Sequence, residues 1–296
     1  MSTLKHKSSV ALIIGIIMML LLIPIWYMMV APFMMVSELE KLDLVTRYEG
    51  TLEYLSELWS VPILITVHVY VEEVKGENII LKMETNTTYM NITLPHVSGN
   101  STYVFNKFTR ENVMDASEAD RPREGYDNFY PLHLKAGEDI PNAWIENLNT
   151  TATLEFKESI VEEGVTLHKY LAEKIITKEN MYVAGIGIRN VTLTATKNIL
   201  IEPLSGLWVY TENETLYMRD VLGQLNYAEY HSTDEAKAEG LATAKAAYDG
   251  MQLLELYVPM ILGIIIIVLT IALVYNLRRL KTKCHQNQSP KSPASK

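Results

Sequence analysis

Two patterns of hydrophobic and polar positions divide the chain. Unbroken apolar runs stand near both ends, and between them apolar and polar residues mostly alternate. The first run is Val10 to Val36, VALIIGIIMMLLLIPIWYMMVAPFMMV. As a helix it would be about 40 Å long, at ~1.5 Å per residue, against a hydrocarbon core of ~30 Å. The second run, Leu256 to Tyr275, has about 20 residues and matches that core. Pro24 and Pro32 remove backbone donors from the first run without forbidding a membrane helix. The run is longer than the roughly 7–15 apolar residues of a secretory signal, and no small-x-small cleavage site follows it. The expectation is an uncleaved anchor.

Between the runs, VPILITVHVYV is the clearest period-two segment. Val61, Ile63, Ile65, Val67, Val69 and Val71 share one parity, as in a half-buried strand. Strands are also expected over 79–94 and 101–109, and ordered structure is expected to resume over 129–134. A hairpin is expected over 151–177, turning at Glu162–Gly164, and three short strands over 186–220, with a tight turn at Leu204–Gly206. Residues 110–128 carry many charges and no apolar period, and read as a long surface loop. From Ser232 the composition becomes alanine-rich. Ser232 and Glu235 have capping-box spacing, so one nearly continuous helix is expected from about 233 into the second apolar run.

The fold class expected is α+β. A β-rich, sandwich-like antiparallel domain would lie between two transmembrane helices, with the alanine-rich helix leading into the second. The expected boundaries are a cytoplasmic N-terminus at 1–9, a transmembrane helix at 10–36 and the β domain at 37–232. A juxtamembrane helix at 233–255, a transmembrane helix at 256–276 and a basic tail at 277–296 complete the chain.

Charge orients this layout. Lys5 and Lys7 precede the first run, and Arg278, Arg279, Lys281 and Lys283 follow the second, whereas Glu38, Glu40 and Glu255 lie on the inner flanks. The positive-inside rule then places both termini in the cytoplasm and residues 37–255 outside. The chain has 26 basic and 35 acidic residues. Eight of the basic ones, the six just named with Lys291 and Lys296, lie in acid-free tails, leaving 18 basic against 35 acidic outside, a net of −17. Such a surface disfavours nucleic acid and anionic lipid as partners. Six Asn-x-Ser/Thr triplets, at Asn86, Asn91, Asn100, Asn149, Asn190 and Asn213, all fall in the outside segment and are candidate glycosylation sites. The single cysteine, Cys284, lies in the tail, so the external domain has no disulfide. Together these features suggest a prokaryotic, and with the sequons an archaeal, cell surface.

No recognised catalytic, nucleotide-binding or metal-binding motif is present. The histidines at 68, 96, 133, 168 and 231 have no metal-ligand spacing. Asp115, Glu118, Asp120, Glu124 and Asp127 could offer oxygens to calcium, but Arg121 and Arg123 sit among them and the EF-hand spacing is absent, so a solvated loop is the better reading. The expectation is therefore no catalytic residue, no metal and no cofactor.

The segments FYPLHLKAGEDIPNAWIENLNTTATLEFKESIVEEGVTLHKY and ILIEPLSGLWVYTENET, with the helical start LLIPIWYMMVAPFMMVSELEKLDL, resemble the porin PorA family of actinobacterial and archaeal membrane proteins. Pro203, Ser205 and Gly206 match that family's Pro-x-Ser/Thr-Gly turn, with Ser where Thr is preferred. The resemblance implies two membrane helices around an external β domain and no established catalytic residue. The function expected is a non-enzymatic cell-surface protein whose glycosylated β domain binds or presents an envelope lipid, glycan or protein. The alternative is a transport component, either an oligomeric pore or an accessory transporter subunit. Partners in keeping with the sequence are the bilayer, such an envelope ligand and further copies of the chain.

Overall fold

The computed structural model describes residues 2–54, 59–90, 92–93, 98–183 and 186–287. The chain forms two compact units, one drawn from Met1–Met35 and Gln252–Lys296, the other from Val36–Met251.

The described residues of the first unit are helical. Helix α1 (Ser2–Ile25) passes through a π-helical turn (Trp26–Val30) into α2 (Ala31–Leu39). A second π turn (Leu253–Tyr257) separates α3 (Asp234–Gln252) from α4 (Val258–Asn287). A π turn widens the hydrogen-bond ladder and leaves a carbonyl short of its usual donor. Here the Trp26 indole donates to the Leu254 carbonyl at 2.8 Å, and the Tyr27 hydroxyl donates to the Glu255 carbonyl at 2.9 Å. Two helices are long and apolar enough to cross a membrane, over Val10–Val30 and within Asp234–Arg279.

The second unit is built on an eleven-stranded antiparallel sheet. Its strands are β1 (Asp43–Tyr54), β2 (Trp59–Lys75), β3 (Asn78–Tyr89), β4 (Ile92–Thr93), β5 (Gly99–Asn106), β6 (Ile140–Ile145), β7 (Thr150–Glu162), β8 (Val165–Val183), β9 (Gly187–Glu202), β10 (Leu207–Asp220) and β11 (Gly223–Ser232). The order is β4-β3-β2-β1-β11-β10-β9-β8-β7-β6, with β5 also beside β3. The strands are longer than the short ones expected; β2, β8 and β9 have 17, 19 and 16 residues. In place of the layers of a sandwich, the pairing puts all eleven strands in one sheet.

The segment between β5 and β6 crosses from one edge of that sheet to the other and joins them. Asn112 bridges to Phe105 of β5 and to Gly125, and Tyr126 bridges to Ala143 of β6. The Tyr126 N–H donates to Asn142 at 2.9 Å, and the Trp144 N–H donates back to Tyr126 at 2.6 Å. The circuit is thus closed, in the manner of a barrel, which covers edges that would otherwise template pairing with another chain. Gly125 makes this closure sterically feasible. Its φ is +68°, and a Cβ there would collide with the Asn142 carbonyl oxygen.

This crossover contains the segment expected to be a plain surface loop. Residues 110–128 have no regular strand, as expected, yet they are not all surface: Arg110 and Arg123 are buried, as are Phe129 and Tyr130 just after them. Arg110 reaches the carbonyls of Ser205 and, at 3.3 Å, Tyr130, and burial lowers its guanidinium to about 10 against the pull of Glu202. The apolar period is missing because the buried arginines satisfy particular backbone and acidic partners, Asp127 nearby and Glu146 and Ser205 farther off, not a repeating local face.

Inside the ring, Tyr130, Leu134, Ile140, Ile145 and Leu148 pack against Leu154 of β7, Tyr170 of β8 and Ile199 and Ile201 of β9. On the other face, α3 packs Leu241 and Ala244 against Val165, Leu167, Leu200 and Val209. Gly240 allows this approach, since a Cβ there would meet the Val209 carbonyl oxygen. The α3 cap is not Ser232. Thr233 Oγ1 accepts the Ala236 N–H at 3.2 Å, while Ser232 Oγ accepts the Thr211 N–H at 3.0 Å. Antiparallel pairing draws Ser232 into the sheet beside Tyr48, which moves the cap one residue along.

Candidate functional site

The part of the ring bounded by β1, β2, β11 and one end of β3 is not filled, whereas Ile79 and Leu81 at the other end of β3 are packed against Tyr103, Phe105 and Phe129. The unfilled part borders a cavity of about 460 Å³, inside the ~300–1,000 Å³ range of small-molecule sites. Its apolar walls are Leu44 and Leu52 of β1, Ile63, Ile65, Val67 and Val69 of β2, Met83 of β3, Leu216 of β10 and Ala228 of β11. The period-two pattern in VPILITVHVYV is thus real, but much of its inward row faces open space. Gly99, Asn100 and Arg121 are exposed lining residues and mark where the cavity meets solvent.

A polar row crosses this apolar lining. Lys197 of β9 pairs with Glu214 of β10, Glu214 with Tyr230 of β11, and Tyr230 with Gly50 of β1. Gly50 is sterically required, because a Cβ there would run into the backbone of Glu229 and Tyr230. Asn147, just after β6, donates from Nδ2 to Glu214 Oε1 at 2.7 Å and lies 2.7 Å from the Tyr230 hydroxyl. Two irregularities in β10, between Trp208 and Tyr210 and between Thr211 and Asn213, decide which of its side chains face inward. Tyr210 joins the α3 cluster, whereas Thr211 and Glu214 line the cavity.

The crossover supplies a second charged group. Arg123 pairs with Asp127 and, at 3.0 Å, with Glu146, and its guanidinium lies 4.1 Å from the Tyr103 ring centroid. These partners compensate its burial. Lys197 differs: no hydrogen bond or ion pair holds its ammonium among the described residues. Burial alone would lower the Lys197 pKa, but Tyr130, Glu214 and Asp127 outweigh it, so the amine stays protonated. Burial pushes the Glu214 carboxyl up, against the opposing pull of Lys197. Burial likewise pushes the Tyr130 hydroxyl up to about 12.

Of the residues singled out by sequence, Asn100 and Asp127 line this cavity and the others fall elsewhere. Asn86 is exposed on β3, between Thr85 and Thr87, which line the cavity. Asn100 is exposed at the cavity rim, on the strand beside β3. Asn149 is exposed, with φ of 54°. Asn190 is exposed on β9, and its Oδ1 accepts the Asn180 N–H at 3.0 Å. Asn213 is half-buried at the second β10 irregularity, its Oδ1 without a hydrogen-bond partner. Asn91 lies outside the described residues. The crossover acids diverge: Glu118 meets Lys75, Asp120 accepts the Thr102 N–H, and Asp127 meets Arg123. Among the described residues, no group of three acidic, histidine or cysteine side chains is arranged to hold a metal. His68 contacts Asp43 at 2.6 Å, whereas His168 is buried against Phe156.

The sequence did not single out Lys197, Glu214 or Tyr230, the polar row of this cavity. One signal was present: Lys197 interrupts an inward row that otherwise reads Val191, Leu193, Ala195, Ile199 and Ile201. A charged residue in the apolar parity of a strand needs a partner, a cavity or both. Comparison with protein-family models finds no match, and no curated protein matches the chain.

Proposed function

We propose that this chain is a non-enzymatic, two-pass cell-membrane protein whose external β domain binds a small amphipathic ligand. In this reading both termini are cytoplasmic, residues 37–255 lie outside, and the sequons carry glycans. The resemblance to the PorA family belongs to the same reading, since it implies two membrane helices around an external β domain. The observation that carries the binding function is the cavity, with apolar walls on β1 and β2 and a polar row on β9, β10 and β11. A lining of this kind suits a ligand with one greasy and one polar end.

The test uses the full chain in phosphatidylcholine nanodiscs and the uncharged fluorescent probe N-phenyl-1-naphthylamine. Saturable binding above empty nanodiscs is expected, and Ala228→Phe, which adds a ring inside the cavity, should remove it. No saturable signal, or unchanged binding by the variant, would refute the cavity as the site. Placement is tested separately by adding protease to intact cells: residues 37–255 should be cleaved, and their protection would overturn the topology.

A further inference from the structure

Several polar hydrogens around the cavity find no acceptor among the described residues. The Lys197 ammonium lines it with no hydrogen bond or ion pair among the described residues. Trp208 lines it too; the residue is 8% exposed, and its indole N–H has no acceptor. Ser101, 2% exposed, is a third lining residue whose hydroxyl has no partner. Behind them Tyr130 is fully buried, with an unpartnered hydroxyl close enough to Lys197 to feel its charge. The acids are better provided for: Asp127 and Glu146 take Arg123, and Glu214 takes Asn147. Buried donors are ordinarily satisfied, so an excess of them around one space calls for an acceptor-rich guest.

We propose that the cavity binds an amphiphile with an oxyanion headgroup, a carboxylate or a phosphate, with Lys197 as its anchor and the apolar row of β1 and β2 around its chain. This deepens the binding function proposed above and rests on it. The location of the charge supports the sign. The domain is strongly acidic overall, yet the exposed rim carries Arg121 and the interior carries Lys197. Arg121 at the rim and Lys197 inside therefore give an anion positive charge along its way in, although the exposed Glu146 also borders the cavity.

The test measures calorimetric binding of octanoate, octyl phosphate, octyltrimethylammonium and octanol to the full chain in phosphatidylcholine nanodiscs. Empty nanodiscs provide the baseline, and acetate and inorganic phosphate serve as chainless anions. Octanoate and octyl phosphate should bind at least about tenfold more tightly than octanol, as a charge-assisted contact requires. Lys197→Met should abolish that preference while leaving octanol unchanged, and Lys197→Arg should retain it. Equal binding of octanol and octanoate would overturn the anchor and leave the cavity reading standing. Preference for octyltrimethylammonium would overturn the sign and point to Glu214. Binding of inorganic phosphate or acetate as tight as that of the octyl compounds would overturn the amphiphile. Should none of the probes bind, the cavity reading itself falls, and the inference with it. The headgroup series on the unmodified chain decides these outcomes even if Lys197→Met fails to fold.

Discussion

The ring has a filled half and a hollow half, built from strands of the same pattern. On β7, β8 and β9, inward residues such as Leu154, Tyr170 and Ile199 are completely buried. On β2, Ile65 and Val67 point inward with the same alternation yet stay half-buried, because they border the cavity. What differs is the material placed opposite. The end of the crossover and β6 bring Tyr130, Leu134, Ile140, Ile145 and Leu148 into one half. On the other side Phe129 fills only the corner of β3 and β5, against Ile79, Leu81, Tyr103 and Phe105, and around the cavity the strands meet mainly Arg123, Asp127, Asn128 and Asn147, whose polar ends are held by one another and by the strands. Alternation therefore states which side chains turn inward, and the filling depends on a segment distant in sequence.

The largest effect that would break this comparison is equal sensitivity of the halves to truncation. Tyr130→Ala should cost about 3–5 kcal/mol, as removal of a large, fully buried aromatic ring does. Ile65→Ala, bordering open space, should cost only about 1 kcal/mol. Urea unfolding of the full chain, followed by circular dichroism, measures both, and similar losses would mean that the hollow half is packed after all. A smaller effect tests closure of the ring. Gly125→Ala should cost about 2 kcal/mol, since the backbone there has positive φ and no room for a Cβ. Amide exchange at Tyr126 and Trp144 should quicken in that variant more than exchange within β8 and β9. Uniform quickening would show that the bridge is not a separate closure.

The smallest effect is a pH dependence lodged in the filled half. His168 is buried, and burial lowers its pKa below the usual 6.5. On acidification the unfolded chain takes up its proton first, so unfolding is favoured. This contribution to stability is complete above pH ~6.5 and is lost progressively as pH falls toward the folded-state pKa. His168→Leu should flatten the stability profile in that window. A profile unchanged by the substitution would show that His168 is accessible enough to protonate freely.

Much of the fold was legible. The apolar end runs, the row from Val61 to Val71, the turn at Glu163–Gly164 and the alanine-rich helix are all local patterns, set by period or by turn chemistry. Three features were not. The crossover hid Arg110 and Arg123 among its charges, because Ser205 and Glu146, which help hold them, lie on other segments. The capping box at Ser232 and Glu235 was superseded when pairing to β1 claimed Ser232. Lys197 was visible as an odd charge in an apolar row, but its row partners Glu214 and Tyr230 lie on other strands.

The sequence by itself determined that two apolar helices flank an antiparallel β domain, and which side chains share each strand face, because parity repeats every two residues. The tertiary structure decided that the ring closes through Asn112, Gly125 and Tyr126, that half of it stays hollow, and that Lys197, Glu214 and Tyr230 line up within it. Those outcomes depend on register between strands and on the volume of side chains placed opposite one another, quantities that no local pattern encodes.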